Sequence, residues 1–225
     1  MDGPLNYTFQ FGTVMDRFPE LLAGAAMTIR LSAVTMVFGL LIGLVCSIGK
    51  VYGPRPVRWL VSSYVEFIRN TPFLIQLYFV FFALPNFGLR LSPDASAVIA
   101  MVVNLGAYSA EIVRAGVEAV PEGQIEAGRA LGLRRLQIIR FLIVFPALKA
   151  VYPALTSQFI LVLLGSSIVS AIAAEELTAV ANTINSQTFR SFEIYTVVTI
   201  MYVAIVFAFR AIFTSIYAFT FARRG

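Results

Sequence analysis

The stretch PEGQIEAGRALGLRRLQIIRFLIVFP, residues 121–146, interrupts a chain that is otherwise almost continuously apolar. It is polar and basic, and it stands between two segments long and apolar enough to cross a membrane. Pro121 supplies a helix start and Gly132 a stop, which predicts a helix over 122–131 of about 15 Å. On that helix Ile125, Leu131 and the small Ala127, Gly128 and Ala130 are available for close packing. Such an element fits a groove on a partner outside the lipid.

Outward from this stretch, 59% of the 225 residues are hydrophobic and the mean hydropathy is +0.83. A soluble domain of this length needs only one core, so the composition indicates an integral protein of a lipid bilayer. Segments near 23–48, 60–84, 95–114, 138–164 and 194–216 each meet the roughly 20 residues that a spanning helix requires. The expected fold is an all-α membrane protein with five transmembrane helices over 23–217. A segment 1–22 precedes them, a loop 115–135 joins spans three and four, and a tail 218–225 follows. Lys50, Arg55 and Arg58 follow span one, Arg129, Arg134 and Arg135 lie in the loop, and Arg223 and Arg224 end the sequence. The alternate compartment receives only Arg17, Arg90 and Arg190. By the positive-inside rule the amino terminus is outside, and the loop and the carboxyl terminus are cytoplasmic. Span one is preceded by Asp2, Asp16, Arg17 and Glu20 rather than a basic leader, so it is expected to remain in the mature chain.

The composition also excludes chemistry. The single cysteine, Cys46, allows no intrachain disulfide, and the absence of histidine removes a His-based metal site and Ser-His or Cys-His nucleophiles. No metal site and no catalytic residue is assigned. The net charge of +5 reads as a topology signal, not as a nucleic-acid footprint. No Gly-x-x-x-x-Gly-Lys-Ser/Thr loop occurs, so any nucleotide must bind to another subunit.

Residues 136–172 would reach about 55 Å as one helix against a hydrocarbon core of about 30 Å, so this region must tilt, bend or break. Pro146 and Pro153 each remove a backbone donor, and Gly165, Ser166 and Ser167 form a candidate break of the kind that lines transport paths. From Ala174 to Arg190 the chain is polar again, with Leu177, Val180, Ala181 and Ile184 at helical spacing, which predicts an outer helix.

Ionisable residues inside a span cost about 2.5–3.5 kcal/mol, so each needs a partner, an interface or a cavity. Glu66 and Arg69 are three apart and can pair on one helix face. Asn104, Tyr108 and Glu111 share a face of span three and offer an amide, a phenol and a carboxylate to a polar solute. Gln76, Gln158, Ser166 and Ser167 add neutral donors and acceptors, and Gly165 belongs to the same candidate path. Interhelical hydrogen bonding is the other use of such residues. Arg30, about one to two turns into span one, can be shielded by the bundle or reach the outer surface, and Lys149 and Arg210 have no partner that sequence can name.

The Glu-Ala-Gly of Glu126, Ala127 and Gly128, followed by Gly132 and a downstream proline, resembles the EAA signature of permease subunits of ATP-binding-cassette importers. EAGRALGL is most similar to the polar-amino-acid branch. The likeness runs through GAAMT at Gly24 to Thr28, through Arg69, Asn70, Thr71 and Pro72, and through Asn104, Tyr108, Glu111 and Arg114. It closes on the Ser-Ile-Val-Ser from Ser167 and the Glu-Glu-Leu-Thr from Glu175.

This resemblance implies a type I importer permease in a bacterial inner membrane, carrying polar amino acids or related compounds such as opines by alternating access. It implies two cytoplasmic ATPase subunits holding ATP and Mg, a second permease subunit and an extracytoplasmic solute-binding protein. Glu126, Ala127, Gly128, Ala130, Leu131 and Gly132 would couple the chain to the ATPases. Gly128 departs from the alanine of the signature, Pro146 falls one residue late, and Gly165 stands where many relatives carry an acid. A stand-alone carrier or channel subunit is the alternative, and it would need internal repeats or a self-sufficient pore, which five spans without repetition do not supply.

Overall fold

The computed structural model describes residues 7–134 and 137–221, and every regular element among them is a helix. Asp2, Arg135, Arg223 and Arg224, used above for orientation and processing, lie outside the described residues. The helices are α1 (Phe11–Met15), α2 (Phe18–Tyr52), α3 (Arg55–Arg69), α4 (Phe73–Tyr78), α5 (Pro93–Glu118), α6 (Glu122–Ala130), α7 (Phe145–Gly165), α8 (Leu177–Thr188) and α9 (Ser191–Thr220). Widened π-helical turns follow α4 (Phe79–Ala83) and lead into α7 (Ile138–Val144), and tightened 3-10 turns extend both helices (Leu84–Phe87 and Ser166–Ile172).

Among the described residues four helices are long and apolar enough to cross a membrane: α2, α5, α9 and the continuous helix Phe141–Ile172 built on α7. The second expected span, 60–84, is not one helix. Arg55–Arg69 and Phe73–Phe87 meet at 108°, and only as a bent pair do they make a fifth span. Pro72 has no N–H to continue the ladder and disfavours helical backbone at Thr71. The Gln76 amide replaces the missing bonds, donating to the carbonyl oxygens of Ile68 (2.8 Å) and Thr71 (3.1 Å) and to the Thr71 hydroxyl (2.8 Å).

At the expected interruption the α-helix ends with Gly165, but the chain does not unwind. The helix narrows there instead, because Ser166 and Ser167 donate to the carbonyls of Leu163 and Leu164, three residues back, at 2.7 and 2.8 Å. These bonds hold the tighter turn in place.

The bundle is organised around α2 and α5. A Cβ at Gly39 would come within 2.8 Å of Leu105, one at Gly43 within 2.4 Å of Ser109, and one at Gly106 within 2.7 Å of Ile42. Small residues therefore let two backbones approach, which in lipid drives helix pairing through packing. Leu31, Leu77, Met101 and Leu105 fill the adjoining core.

At one end of the bundle α8 seats on α2, where two stretches of the sequence meet. Gly24 leaves room for the backbone of Leu177, and the Thr28 hydroxyl accepts the Leu177 N–H at 3.1 Å. Glu176, fully buried, caps α8 by accepting the Ala179 N–H (2.9 Å) and also accepts from Tyr202 on α9 (2.7 Å). Nearby, Tyr7 donates to Glu193 at the start of α9. That hydrogen bond to a carboxylate holds the Tyr7 phenol above its ordinary pKa.

Candidate functional site

The α3–α4 break opens one side of a cavity of about 340 Å³. Thr71, Pro72 and Phe73 come from the break, Met101, Asn104 and Tyr108 from α5, and Gln158, Leu161 and Gly165 from α7. Its polar lining is neutral: a threonine hydroxyl, two carboxamides and a phenol. Beside it the Arg69 guanidinium lies over the Tyr108 ring at 5.5 Å from its centroid. The pocket is in the size range of small-molecule sites and has room for a free amino acid, whose charged ends these groups can solvate.

Of the sequence-derived path residues, Asn104, Tyr108, Gln158 and Gly165 converge on this cavity. Gln76 stands behind it, bracing the break while its carbonyl oxygen accepts from Asn104 at 2.9 Å, so it positions a lining residue. Ser166 is buried, and Ser167 faces a separate cavity with Thr199 and Arg210. Glu111 is engaged elsewhere: it binds Lys50 and Arg114, and Arg114 also binds Glu118. Only 16% of its side chain is exposed, so the ion pairs supply what removal from water takes away.

Glu66 and Arg69 do not pair; both are exposed, and Arg69 is turned to Tyr108. Thr71, Phe73 and Met101 were missed from sequence, although Pro72 inside an apolar run was a usable sign of interruption.

The second candidate region is α6. The expected helix 122–131 forms over Glu122–Ala130, with Leu131 as its cap. Gly132 has φ +73°, a conformation that favours glycine, and its N–H bonds Arg129 while the Leu133 N–H bonds Gly128, both at 3.0 Å. This paired arrangement satisfies the last carbonyls and stops the helix. Glu126, Ala127 and Ala130 are exposed and Leu131 is 80% exposed, whereas Gly128 alone of the six coupling candidates faces the bundle. A Cβ at Gly128 would come within 2.5 Å of Leu142, so its hydrogen side chain sets how closely α6 approaches the turn Ile138–Val144.

A family model described as binding-protein-dependent transport system inner membrane component matches residues 17–223. The chain is 35% identical over 199 residues to the glutamine transport system permease protein GlnP of Escherichia coli (strain K12), covering 88% of this chain and 91% of that one. It is 36% identical over 170 residues to the L-cystine transport system permease protein TcyB of Bacillus subtilis (strain 168), covering 76% and 73%. Among solved structures, "Crystal structure of an amino acid ABC transporter with histidines" is similar at a TM-score of 0.86 and 35% identity, over 93% of this chain and 98% of that one.

Proposed function

We propose that this chain, which belongs to the family of binding-protein-dependent transport system inner membrane components, carries an uncharged polar amino acid through the cavity beside the α3–α4 break. It is the membrane-spanning permease subunit of an amino-acid ABC importer, not a catalytic subunit. The observation that carries the substrate reading is the neutral polar lining combined with an empty approach at Gly165, where an added Cβ would meet nothing within 4 Å. An acid at that position would project into the cavity and counter a cationic side chain, and glycine leaves the cavity uncharged there. The glutamine and cystine assignments of the relatives agree with an uncharged substrate.

In this reading Asn104, Gln158 and Thr71 hydrogen-bond the solute, and the Arg69 guanidinium faces its carboxylate across Tyr108. ATP and Mg are bound and hydrolysed on two cytoplasmic ATPase subunits that receive the exposed face of α6, with Leu131 as the apolar anchor. A solute-binding protein delivers the amino acid at the outer end, a second permease subunit completes the path, and the assembly sits in a bacterial inner membrane. The permease, assembled with its ATPase and binding protein in proteoliposomes, is expected to take up L-glutamine in preference to L-arginine, and Asn104→Ala to raise KM about tenfold, one lost buried hydrogen-bonding group. An assembled, ATP-hydrolysing complex that moves no uncharged polar amino acid overturns the reading.

A further inference from the structure

A cavity of about 470 Å³ that the transport reading leaves unused lies where the end of α2, α6 and the widened turn Ile138–Val144 meet. Tyr52 closes α2, Ile125 and Arg129 come from α6, and Ile138, Ile139 and Ile143 come from the turn. Pro146 offers no N–H to the Leu142 carbonyl, and the helix before it is widened to a π-turn, a feature frequent at functional sites. Among the described residues the lining is apolar apart from the Arg129 guanidinium and the Tyr52 phenol. Both of these side chains are exposed, so they stand at the mouth while the isoleucines form the wall.

The cavity lies beside the face of α6 that is offered to an ATPase, not on it. At 3.6 residues per turn Gly128 faces the bundle, Glu126 and Ala130 point away from it, and Ile125 and Arg129 occupy one flank between.

The charge at the mouth is uncompensated. Among the described residues Arg129, like Arg30, Lys149 and Arg210, joins no hydrogen bond or ion pair. The acids that end α5 are taken, Glu111 by Lys50 and Arg114, and Glu118 by Arg114. Glu122 and Glu126 on α6 are exposed and make no pair with Arg129. Arg55 and Arg58, which follow Tyr52 closely at the start of α3, add two more exposed cations to the same end of the bundle.

The level suits a headgroup. Tyr52 is the last residue of an apolar span, and tyrosine gathers where hydrocarbon gives way to polar lipid. By the orientation read from the arginine distribution this is the cytoplasmic surface, where basic pockets between helices take anionic headgroups. An apolar wall below a guanidinium at that depth matches an acyl chain below a phosphate.

We propose that this cavity holds an anionic phospholipid of the cytoplasmic leaflet, with its phosphate on Arg129 and an acyl chain along Ile138, Ile139 and Ile143. The site goes beyond the substrate reading and does not depend on it.

The full complex with its ATPase is placed in nanodiscs of phosphatidylethanolamine and phosphatidylglycerol, with a benzophenone side chain in place of Ile139 in one sample and of the exposed Tyr52 in another, and is irradiated. The expected product is a phosphatidylglycerol adduct, identified by mass, in excess of that lipid's share of the bilayer; the Tyr52 position gives the reading if replacement of Ile139 disturbs assembly. Arg129→Gln is expected to lower the yield about fivefold, the loss of about 1 kcal/mol for one arginine at a lipid surface, and Arg129→Lys to keep most of it. Arg58→Gln, near the same surface but outside the cavity lining, is expected to change it by less than about twofold. Coupling to the ATPase in place of lipid, capture of the two lipids in bilayer proportion, or equal losses from Arg58→Gln and Arg129→Gln each overturn the site. The adduct is read without transport, so selective capture by a complex that moves no uncharged amino acid supports the site while overturning the substrate reading.

Discussion

Glu111 and Asn104 illustrate what a single helix face can and cannot say. They share a stripe of α5, yet one is closed into an ion cluster with Lys50 and Arg114 and the other lines the cavity beside the α3–α4 break. Glu111→Gln leaves the part-buried Lys50 without its carboxylate and Arg114 with Glu118 alone, and is expected to destabilise the assembled complex by about 1–3 kcal/mol, less than a fully buried pair because Lys50 and Arg114 keep some exposure. A thermal unfolding scan should therefore register this variant while KM for the solute stays unchanged. Gly165→Glu is the opposite case, since an added Cβ there meets nothing within 4 Å and the position lines the cavity. It is expected to fold normally and to shift preference toward L-arginine, read as a ratio of uptake rates. The shared face was legible from the period alone. Which partner each residue takes was not, because Lys50 is 61 residues from Glu111 and nothing local announces a pair at that distance.

Elements were legible where a local signal fixes them and obscure where a side chain rewrites the backbone. The α6 stop at Gly132 follows from residue type, and so does the apolar stripe of α8. The 108° turn between α3 and α4 was concealed because an apolar run satisfies a span criterion whether or not it bends. The seat of α8 on α2 depends on hydrogen bonds between residues 148 and 149 positions apart. Thr28→Val keeps the shape but leaves the Leu177 N–H without an acceptor, which costs about 1–3 kcal/mol. Faster amide hydrogen exchange across 177–188 would report it, and unchanged protection would mean that packing at Gly24 alone holds the seat. At the other end, Gly128→Ala should be absorbed by rotation of the flexible Leu142, whereas Gly128→Ile should overpack the α6 contact by about 1–3 kcal/mol and reduce solute-stimulated ATP hydrolysis.

For the whole molecule, composition already dictated a helical membrane bundle, and the arginine asymmetry gave it a direction. A reporter fused at the carboxyl end is expected in the cytoplasm and one near Pro4 outside; the reverse pair of signals would contradict the orientation. One contact at this scale has a mechanical meaning. Gly116 on α5 admits Val151 so closely that a Cβ there would come within 2.1 Å of it. The turn beginning at Ile138 leads into α7, which stays helical past Pro153 to Gly165, so Val151 stands about 20 Å from either end at 1.5 Å per residue. Under the proposed coupling this contact would serve as a fulcrum with nearly equal arms. In the proposed importer, a push delivered by α6 at one end of the rod would return at the cavity end with similar amplitude and opposite sense, so that the stroke of the ATPase would be passed on without gearing.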